Sequence, residues 1–347
     1  MSNELFREGG PLNIKKTGSD QYSMNIALPT NEDGRMAREC QNEKCSPGYF
    51  KVRSGTGITE GQEFAFCPYC RSQAAPGDFV TKEQLRYAKD LAVSEAEEGI
   101  EKMIKGALGL GPSGKKKIGG GFLSIEMSLK SGPKPAVRRP FEEEVRRDVT
   151  CPFCGLDQSV YGLATWCADC GKDIFLTHVE AELAVIRYML NDVGRRREQL
   201  GIRVAAKDLE NCLEDTVSVF EAVLRAIVRR YKCQNGASDD EVDKFFSSIG
   251  NAFQNISRSQ EIFSTQVRVP LFYEMSTGGI ELLSRAFQKR HPITHNLGVV
   301  DKKYIQRARS AEAEGREILI SEEEISEIVG ISMQAFASLH RRMFEEK

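Results

Sequence analysis

The chain has 347 residues, of which 40% are hydrophobic and 28% charged, and its mean hydropathy is -0.39. These values are typical of a soluble globular protein of two or three domains and exclude wholesale disorder. The 48 Lys and Arg nearly balance the 50 Asp and Glu, which argues against an overall polycationic nucleic-acid binder. No apolar run approaches the ~20 residues of a bilayer span, and the first ten residues lack the apolar segment of a secretory signal, so we expect a cytoplasmic protein that does not enter a membrane.

The cysteines point to metal binding. In a chain without an export signal, thiols stay reduced and serve metal or redox chemistry more often than disulfides. Cys212 and Cys233 stand alone in helical sequence, where we expect buried apolar residues or inert thiols. The other eight of the ten form four pairs: Cys40 and Cys45, Cys67 and Cys70, Cys151 and Cys154, and Cys167 and Cys170.

Residues 1–80 are predicted to hold an N-terminal tail and a first zinc ribbon. Short strands such as 49–53 alternate with turn residues. The two cysteine pairs here offer the four thiolates of a structural Zn²⁺ site, although neither pair is followed directly by glycine. Pairing neighbours closes shorter loops than interleaved pairing, which favours one site here and another further along. Redox CxxC chemistry is the alternative, but its usual βαβ setting is missing.

Residues 81–148 are predicted to contain a helix followed by a basic linker with strands. Thr81 followed by Glu83 and Gln84 is typical of a helix start, and apolar residues from Leu85 to Ala96 recur at helical spacing, which predicts a helix over 81–105. The stretch 111–139 carries seven basic residues and one acidic residue, and alternation predicts a strand over 122–128. Such a stretch permits nucleic-acid contact, but it is more typical of a solvated linker.

Residues 149–175 are predicted to form a second zinc ribbon. Twelve residues separate its two cysteine knuckles, and each knuckle ends in a glycine that permits the positive φ of a tight turn. Four thiolates saturate a tetrahedral Zn²⁺, so both predicted Zn²⁺ ions are structural rather than catalytic. The knuckles are Cys151-Pro-Phe-Cys154-Gly155 and Cys167-Ala-Asp-Cys170-Gly171.

The sequence does not decide what the ribbons contact. A ribbon can be a scaffold, a docking site for a protein partner or a nucleic-acid contact. Aromatic residues near the knuckles have the shape to stack on bases, yet aromatics of so small a module often form its core. They are Tyr69, Phe153, Tyr161 and Trp166.

Residues 176–347 are predicted to form an all-α domain. An apolar stripe with a 3.6-residue period runs from Val217 to Tyr231, and a shorter helix is expected over 241–253. Ser321 with Glu324 forms a capping-box signature that predicts the start of a last helix.

The stretch 285–296, Arg-Ala-Phe-Gln-Lys-Arg-His-Pro-Ile-Thr-His-Asn, gathers two of the four histidines with three cations. The planar fork of arginine suits a phosphate, and its charge stabilises a pentacovalent phosphorane. Histidine carries protons near neutral pH, and cationic neighbours favour its neutral form. These are the parts required for metal-free RNA cleavage, in which a 2′-hydroxyl attacks its own phosphodiester.

Arg290-x4-His295, with a polar residue directly after the arginine, resembles the R-x(4–6)-H motif of the HEPN superfamily of helical domains. The following run 296–304 also resembles a continuation seen in bacterial HEPN proteins, and the resemblance covers roughly 181–344. The cysteine-rich half is similar to that of bacterial zinc-ribbon/HEPN proteins with an Asp-Gly turn, here Asp33-Gly34, before the first knuckle.

The resemblance implies a helical bundle that dimerises and an RNase site where the two motifs meet, often in toxins or antiviral defence effectors. Arg290 would bind the scissile phosphate, and His295 would be the general base or acid. His291 and Asn296 would position substrate or phosphate, and Glu221 would orient Arg290.

Two alternatives remain at this stretch. His291 and His295 have the spacing of a metal pair, and the cluster also fits a solvated basic helix end. On an ideal helix Arg290 and His295 point about 140° apart. We therefore expect Pro292 to break the helix or to start a new one, which would re-aim the two side chains.

The sequence thus predicts an α+β multidomain protein: a β-rich double zinc-ribbon region with an intervening helix, then a HEPN-like all-α bundle. The predicted function is a homodimeric, metal-independent endoribonuclease that acts on RNA, with ribbons that recognise the substrate or a partner protein. The alternatives are a non-catalytic zinc-dependent adaptor and a nucleic-acid-binding protein without enzymatic activity.

Overall fold

A computed structural model describes residues 5–345 except 7, 11, 20, 112, 120–123, 131, 133–135, 309 and 311. Positions 122 and 123 of the strand predicted over 122–128, and position 134 of the basic stretch, lie outside the described residues. The chain divides into two compact units: Met1–Ala65 with Ser72–Val145, and Phe66–Arg71 with Arg146–Lys347. The four segments predicted above, 1–80, 81–148, 149–175 and 176–347, remain predictions.

Short strands dominate the first unit. The best-formed pair is the antiparallel hairpin of β3 and β4, whose register runs from Arg35 opposite Arg53 to Glu39 opposite Tyr49. β4 is buried except for its last residue, so the strand predicted over 49–53 is confirmed. The first six strands are β1 Lys15–Lys16, β2 Tyr22–Ser23, β3 Arg35–Glu39, β4 Tyr49–Arg53, β5 Ala65–Phe66 and β6 Gln73–Ala74.

The predicted helix of this unit is confirmed as α1, Lys82–Ala107. Thr81 accepts a hydrogen bond from the backbone N–H of Gln84, and the Gln84 side chain accepts one from the backbone N–H of Thr81, so a complete capping box begins the helix. The Gln84 amide also donates to the Ala37 carbonyl at 2.9 Å, which fixes the start of α1 against β3. The basic stretch that follows contains the antiparallel strands β7, Lys115–Ile118, and β8, Ile125–Ser128.

The longer segment of the second unit, Arg146–Lys347, begins with a strand hairpin and continues as helices. β9 pairs antiparallel with β10, with Asp157 opposite Thr150 and Val160 opposite Arg147. Its strands and α-helices are β9 Arg147–Thr150, β10 Asp157–Val160, α2 Phe175–Leu200, α3 Ile202–Gln234, α4 Asp239–Ile249, α5 Ile256–Ile262, α6 Thr277–Asn296, α7 Lys302–Ala308 and α8 Glu322–Phe344. Among the residues that the structure describes, the fold is therefore mixed, with eight α-helices and small antiparallel sheets.

Two helix boundaries show how local sequence signals act. Ser321 accepts from the Glu324 N–H at 3.2 Å, so the predicted start of the last helix is confirmed. The helix predicted over 241–253 is confirmed as far as Ile249, but its last four residues are wrong, because α4 ends before Gly250, whose φ of 54° is positive. A separate 3₁₀ turn, Ala252–Gln254, follows. Glycine takes this conformation at little cost, and it redirects the chain into the turn.

The core of the helical part forms around α3. Phe220 is fully buried, and its ring centroid lies 5.1 Å from that of Phe287 on α6 and 5.2 Å from that of Phe336 on α8. α3 thereby packs against both of these helices, and the apolar stripe predicted from Val217 onward is the buried face. No helix in the described part of the chain has the length and apolar character needed to cross a membrane.

Truncating Phe220 is expected to destabilise the protein strongly. Phe220→Ala removes a ring that three helices enclose, so we expect a loss of about 3–5 kcal/mol of unfolding free energy. Tyr188→Ala, on α2, is the matched control, because this side chain is 73% exposed and its loss is expected to stay within about 0.5 kcal/mol. Urea unfolding followed by circular dichroism measures both, and equal midpoints would contradict this core.

Candidate functional site

The second predicted zinc ribbon brings its four thiols together. Cys151, Cys154, Cys167 and Cys170 place their sulfur atoms within 4.8 Å of one another. The Cys151 and Cys170 sulfurs are 3.7 Å apart, and those of Cys154 and Cys167 are 3.5 Å apart. A disulfide requires about 2.05 Å, whereas four Zn–S bonds of ~2.3 Å around a tetrahedron place the sulfurs about 3.8 Å apart. The four thiols therefore fit a structural Zn²⁺.

The knuckle turns explain why glycine follows these pairs. Gly155 donates its N–H to the Cys151 carbonyl at 3.0 Å, and Gly171 donates to the Cys167 carbonyl at 3.0 Å, each with a positive φ. At Gly171 an added Cβ would also meet the Phe66 ring at 2.9 Å, which is too close for any side chain. The backbone turn and its surroundings thus fix the positions of the paired thiols.

The first four-cysteine group consists of Cys40, Cys45, Cys67 and Cys70. Like the second group, it could hold a metal ion and is compatible with a structural zinc site. The missing glycine after Cys70 is explained by Arg71, which itself takes φ 62° and donates its N–H to the Cys67 carbonyl at 3.0 Å. No sequence pattern predicts that a non-glycine residue would occupy this strained position.

Burial holds two thiols of the second group, Cys154 and Cys167, in their neutral form, whereas backbone N–H groups that donate to the Cys151 sulfur lower the pKa of Cys151. Burial raises the pKa of Cys154 to about 11 and raises that of Cys167 further. A bound divalent cation reverses this effect, because a coordinated thiol is deprotonated outright. These cysteines therefore release protons when they take up a metal, and uptake is expected to strengthen as pH rises.

The helix that carries the arginine and histidine motif is continuous. α6 runs through Pro292 to Asn296, so the break expected at Pro292 is wrong. Pro292 and Ile293 are both buried, and this packing holds the last turns in spite of the lost backbone donor. The helix ends at Leu297, whose φ is 52° and whose N–H donates to the Pro292 carbonyl. Arg290 and His295 consequently stay about 140° apart around the helix axis.

Arg290 is linked to Glu221 through a third residue. Its Nη1 donates to the Oε1 of Gln254 at 2.5 Å, and the Gln254 amide donates to Oε2 of Glu221 at 2.6 Å. Arg225 donates to the other oxygen of Glu221 at 2.9 Å. The orientation of Arg290 by Glu221, which the resemblance implied, is thus indirect in this structure. Gln254 carried no sequence signal, because it belongs to a short turn far away in the chain.

The two histidines of the motif do come together. The ring centroids of His291 and His295 are 5.0 Å apart, with His295 exposed and His291 half-buried. Burial lowers the pKa of His291 below its ordinary value of 6.5, and the positive charges of Lys303 and Arg307 on α7 lower it further. Near neutral pH, His291 is therefore in the form that accepts a proton.

The end of α6 is fixed by side-chain hydrogen bonds. The Asn296 amide donates to the Val299 carbonyl at 2.8 Å, and the Thr294 hydroxyl donates to a Glu214 carboxylate oxygen at 2.7 Å. One N–H group of the Asn296 side chain is therefore already hydrogen-bonded within the turn that ends the helix. Glu214 lies on α3 and had no sequence signal, because its role depends on how α3 packs against α6.

The histidine pair lacks a third metal ligand within the described residues. There, the only groups of three or more histidine, cysteine or acidic side chains with ligand atoms close enough for one ion are the two four-cysteine groups. A structural Zn²⁺ takes four ligands and a catalytic one takes three protein ligands. This geometry disfavours the alternative in which His291 and His295 bind a metal.

Comparison with known proteins yields no relative: no family model, no curated protein and no solved structure matches the chain.

Proposed function

We propose that the protein is a metal-independent endoribonuclease whose site lies at the C-terminal end of α6. The observation that carries this proposal is the His291–His295 pair, with ring centroids 5.0 Å apart and a histidine of lowered pKa among cations. Cleavage by transesterification needs one base and one acid, and two adjacent imidazoles of different environment supply both.

The two histidines divide the proton transfers between them. His291, in its neutral form, removes the proton from the 2′-hydroxyl, and the freed oxygen attacks the adjacent phosphorus. The P–O bond to the 5′-oxygen then breaks, and the exposed His295 donates the proton that this leaving oxygen requires. The products are a 2′,3′-cyclic phosphate and a 5′-hydroxyl.

Cations of the same region stabilise the charged transition state. Gln254 accepts a hydrogen bond from Nη1 of Arg290, and Nε of Arg290 is buried, which leaves Nη2 for a phosphate. Lys303 and Arg307 lie close enough to affect His291 and add positive charge where the phosphorane forms. The resemblance to HEPN domains suggests a homodimer, in which a second copy of the motif completes the site, and a role as toxin or antiviral defence effector.

The pH profile of cleavage tests the assignment of the base. Because the pKa of His291 lies below 6.5, we expect the rate to hold as pH falls through 6.5 and to decrease only at lower pH, where His291 becomes protonated. The nearby groups that set this limb are Lys303, His295, Asp301 and Arg307. Lys303→Gln removes one of the positive charges, so it should move the decrease of the rate at acidic pH to a higher pH. An unchanged pH profile would contradict a base beside α7.

The nature of the product ends tests the reaction itself. We expect single-stranded RNA of mixed sequence to give 2′,3′-cyclic phosphate and 5′-hydroxyl ends at a rate that added Mg²⁺ does not change. Products with 3′-hydroxyl and 5′-phosphate ends would indicate metal-dependent hydrolysis and would exclude this mechanism.

A zinc-dependent adaptor is the second candidate, and the position of Arg290 favours it. Its guanidinium is half-buried and bonded within the bundle, and its Nε has no hydrogen-bond partner among the described residues. An adaptor requires only that this contact support the bundle. Arg290→Ala would then lower the unfolding midpoint, and wild-type protein would show no cleavage of any RNA.

A further inference from the structure

The second unit contains a cavity beside the second four-cysteine group. Its volume is about 550 Å³, and its walls combine aromatic rings with cations. This size lies within the ~300–1,000 Å³ range of small-ligand sites. The residues that matter for its chemistry are Arg71, Phe153, Trp166, Lys172, Arg230 and Phe344.

Two exposed cations stand at the rim, and each follows a cysteine knuckle directly or by one residue. The Arg71 guanidinium lies 4.4 Å from the centre of the Trp166 ring, and the Lys172 ammonium lies 4.6 Å from the centre of the Phe153 ring. Arg71 takes a left-handed conformation that is unfavourable for a non-glycine residue. The side chain that stands there in spite of this cost is a cation that lies over an aromatic wall.

The carboxylates that line the cavity are already paired with other side chains. Arg230 lies over Trp166 at 4.7 Å and over Phe344 at 3.9 Å, and it donates to Asp173 at 2.6 Å. His340 is 3.3 Å from the same carboxylate and 3.2 Å from Glu345. Because these carboxylates are engaged with Arg230 and His340, the rim cations are the charges that face a ligand.

Cations beside an exposed aromatic ring suit a ligand that is both anionic and planar. Phe153 is 56% exposed although it belongs to a small module that needs its apolar residues for a core. Bases of single-stranded RNA stack on such rings and on arginine planes, and phosphates bind lysine and arginine. We propose that this cavity binds a nucleotide of single-stranded RNA, with the base against Phe153 and the phosphate on Arg71 and Lys172. The choice of RNA rests on the proposed function.

The single tryptophan makes the cavity observable, because Trp166 is the only one in the chain. The zinc-loaded full chain with His295→Ala, which prevents cleavage, is titrated with a single-stranded RNA of about 12 nucleotides. We expect a saturable change in tryptophan fluorescence. Arg71→Gly and Lys172→Ala should each weaken binding about tenfold and lower the salt dependence by about one ion.

The substitutions are chosen so that a loss of binding is not caused by misfolding. Glycine suits φ 62°, so Arg71→Gly removes the cation without straining the knuckle. Lys244→Ala removes an exposed lysine from α4 and is expected to leave the affinity unchanged. Zinc content and circular dichroism are measured for every variant, so that a loss of binding is compared only between folded proteins.

Three outcomes overturn the proposal: no saturable fluorescence change, unchanged affinity in folded Arg71→Gly/Lys172→Ala, or equal affinity for inorganic polyphosphate of matched charge. The last would show a simple anion site. Cleavage is assayed separately on the wild type. If wild type fails to cleave but binding still depends on Arg71 and Lys172, the nuclease proposal fails and the nucleotide site stands. If wild type cleaves but binding does not depend on these residues, only the proposed nucleotide site is wrong.

Discussion

Cys167→Ser is expected to remove the second metal site and to unfold the ribbon around it. Cys167 is fully buried, and its sulfur lies 3.5 Å from that of Cys154. Serine offers a poor ligand for Zn²⁺, so three thiolates would remain. The binding free energy of a structural Zn²⁺ is about 10–16 kcal/mol, which matches or exceeds the ~5–15 kcal/mol that stabilises a typical domain.

Elemental analysis and circular dichroism measure this effect. We expect zinc to fall from two ions per chain to one and the β9–β10 hairpin to lose its order. Cys233→Ser is the matched control, because Cys233 is exposed on α3 and belongs to neither four-cysteine group. Two zinc ions in folded Cys167→Ser protein, or none in the wild type, would contradict the metal assignment.

His295→Ala is expected to reduce RNA cleavage by about 10²–10⁴-fold and to leave the fold intact. The loss is that of one general acid or base, and the change in stability should stay within about 0.5 kcal/mol because the side chain is exposed. Glu281→Ala, an exposed position of the same helix, is the matched control and should cleave at the wild-type rate.

His291→Ala tests whether the two histidines act together or His295 acts alone. If the two imidazoles act together, this substitution should cost as much as His295→Ala, and the double variant should cost little more, because residues that act as a unit are non-additive. Additive losses would mean that the two histidines act independently, and they would contradict the mechanism in which the pair acts as one unit.

Short-range signals predicted much of the fold. The cysteine spacings indicated which thiols meet, because a knuckle is closed by its own backbone turn, as at Gly155 and Gly171. The start of α1 was likewise readable, because Thr81 and Gln84 satisfy each other within one turn. In these cases the interacting groups lie close together in the sequence.

Signals that depend on tertiary packing were missed. Proline in an isolated helix favours a break, but the burial of Pro292 and Ile293 keeps α6 continuous. Gln254 reaches Arg290 across 36 residues of chain, and Thr294 reaches Glu214 across 80. A motif in the sequence contains no information about such partners, because their contact depends on how α3, α6 and the turn before α5 pack.

The most direct test of metal-independent RNA cleavage at the His291–His295 pair compares wild type with His295→Ala in EDTA. Circular dichroism and gel filtration accompany the assay, because chelation can strip the zinc and unfold the ribbons. We expect wild type alone to cleave and to leave 2′,3′-cyclic phosphate ends. Intact RNA with well-folded wild-type protein, or equal cleavage by His295→Ala, would contradict the account.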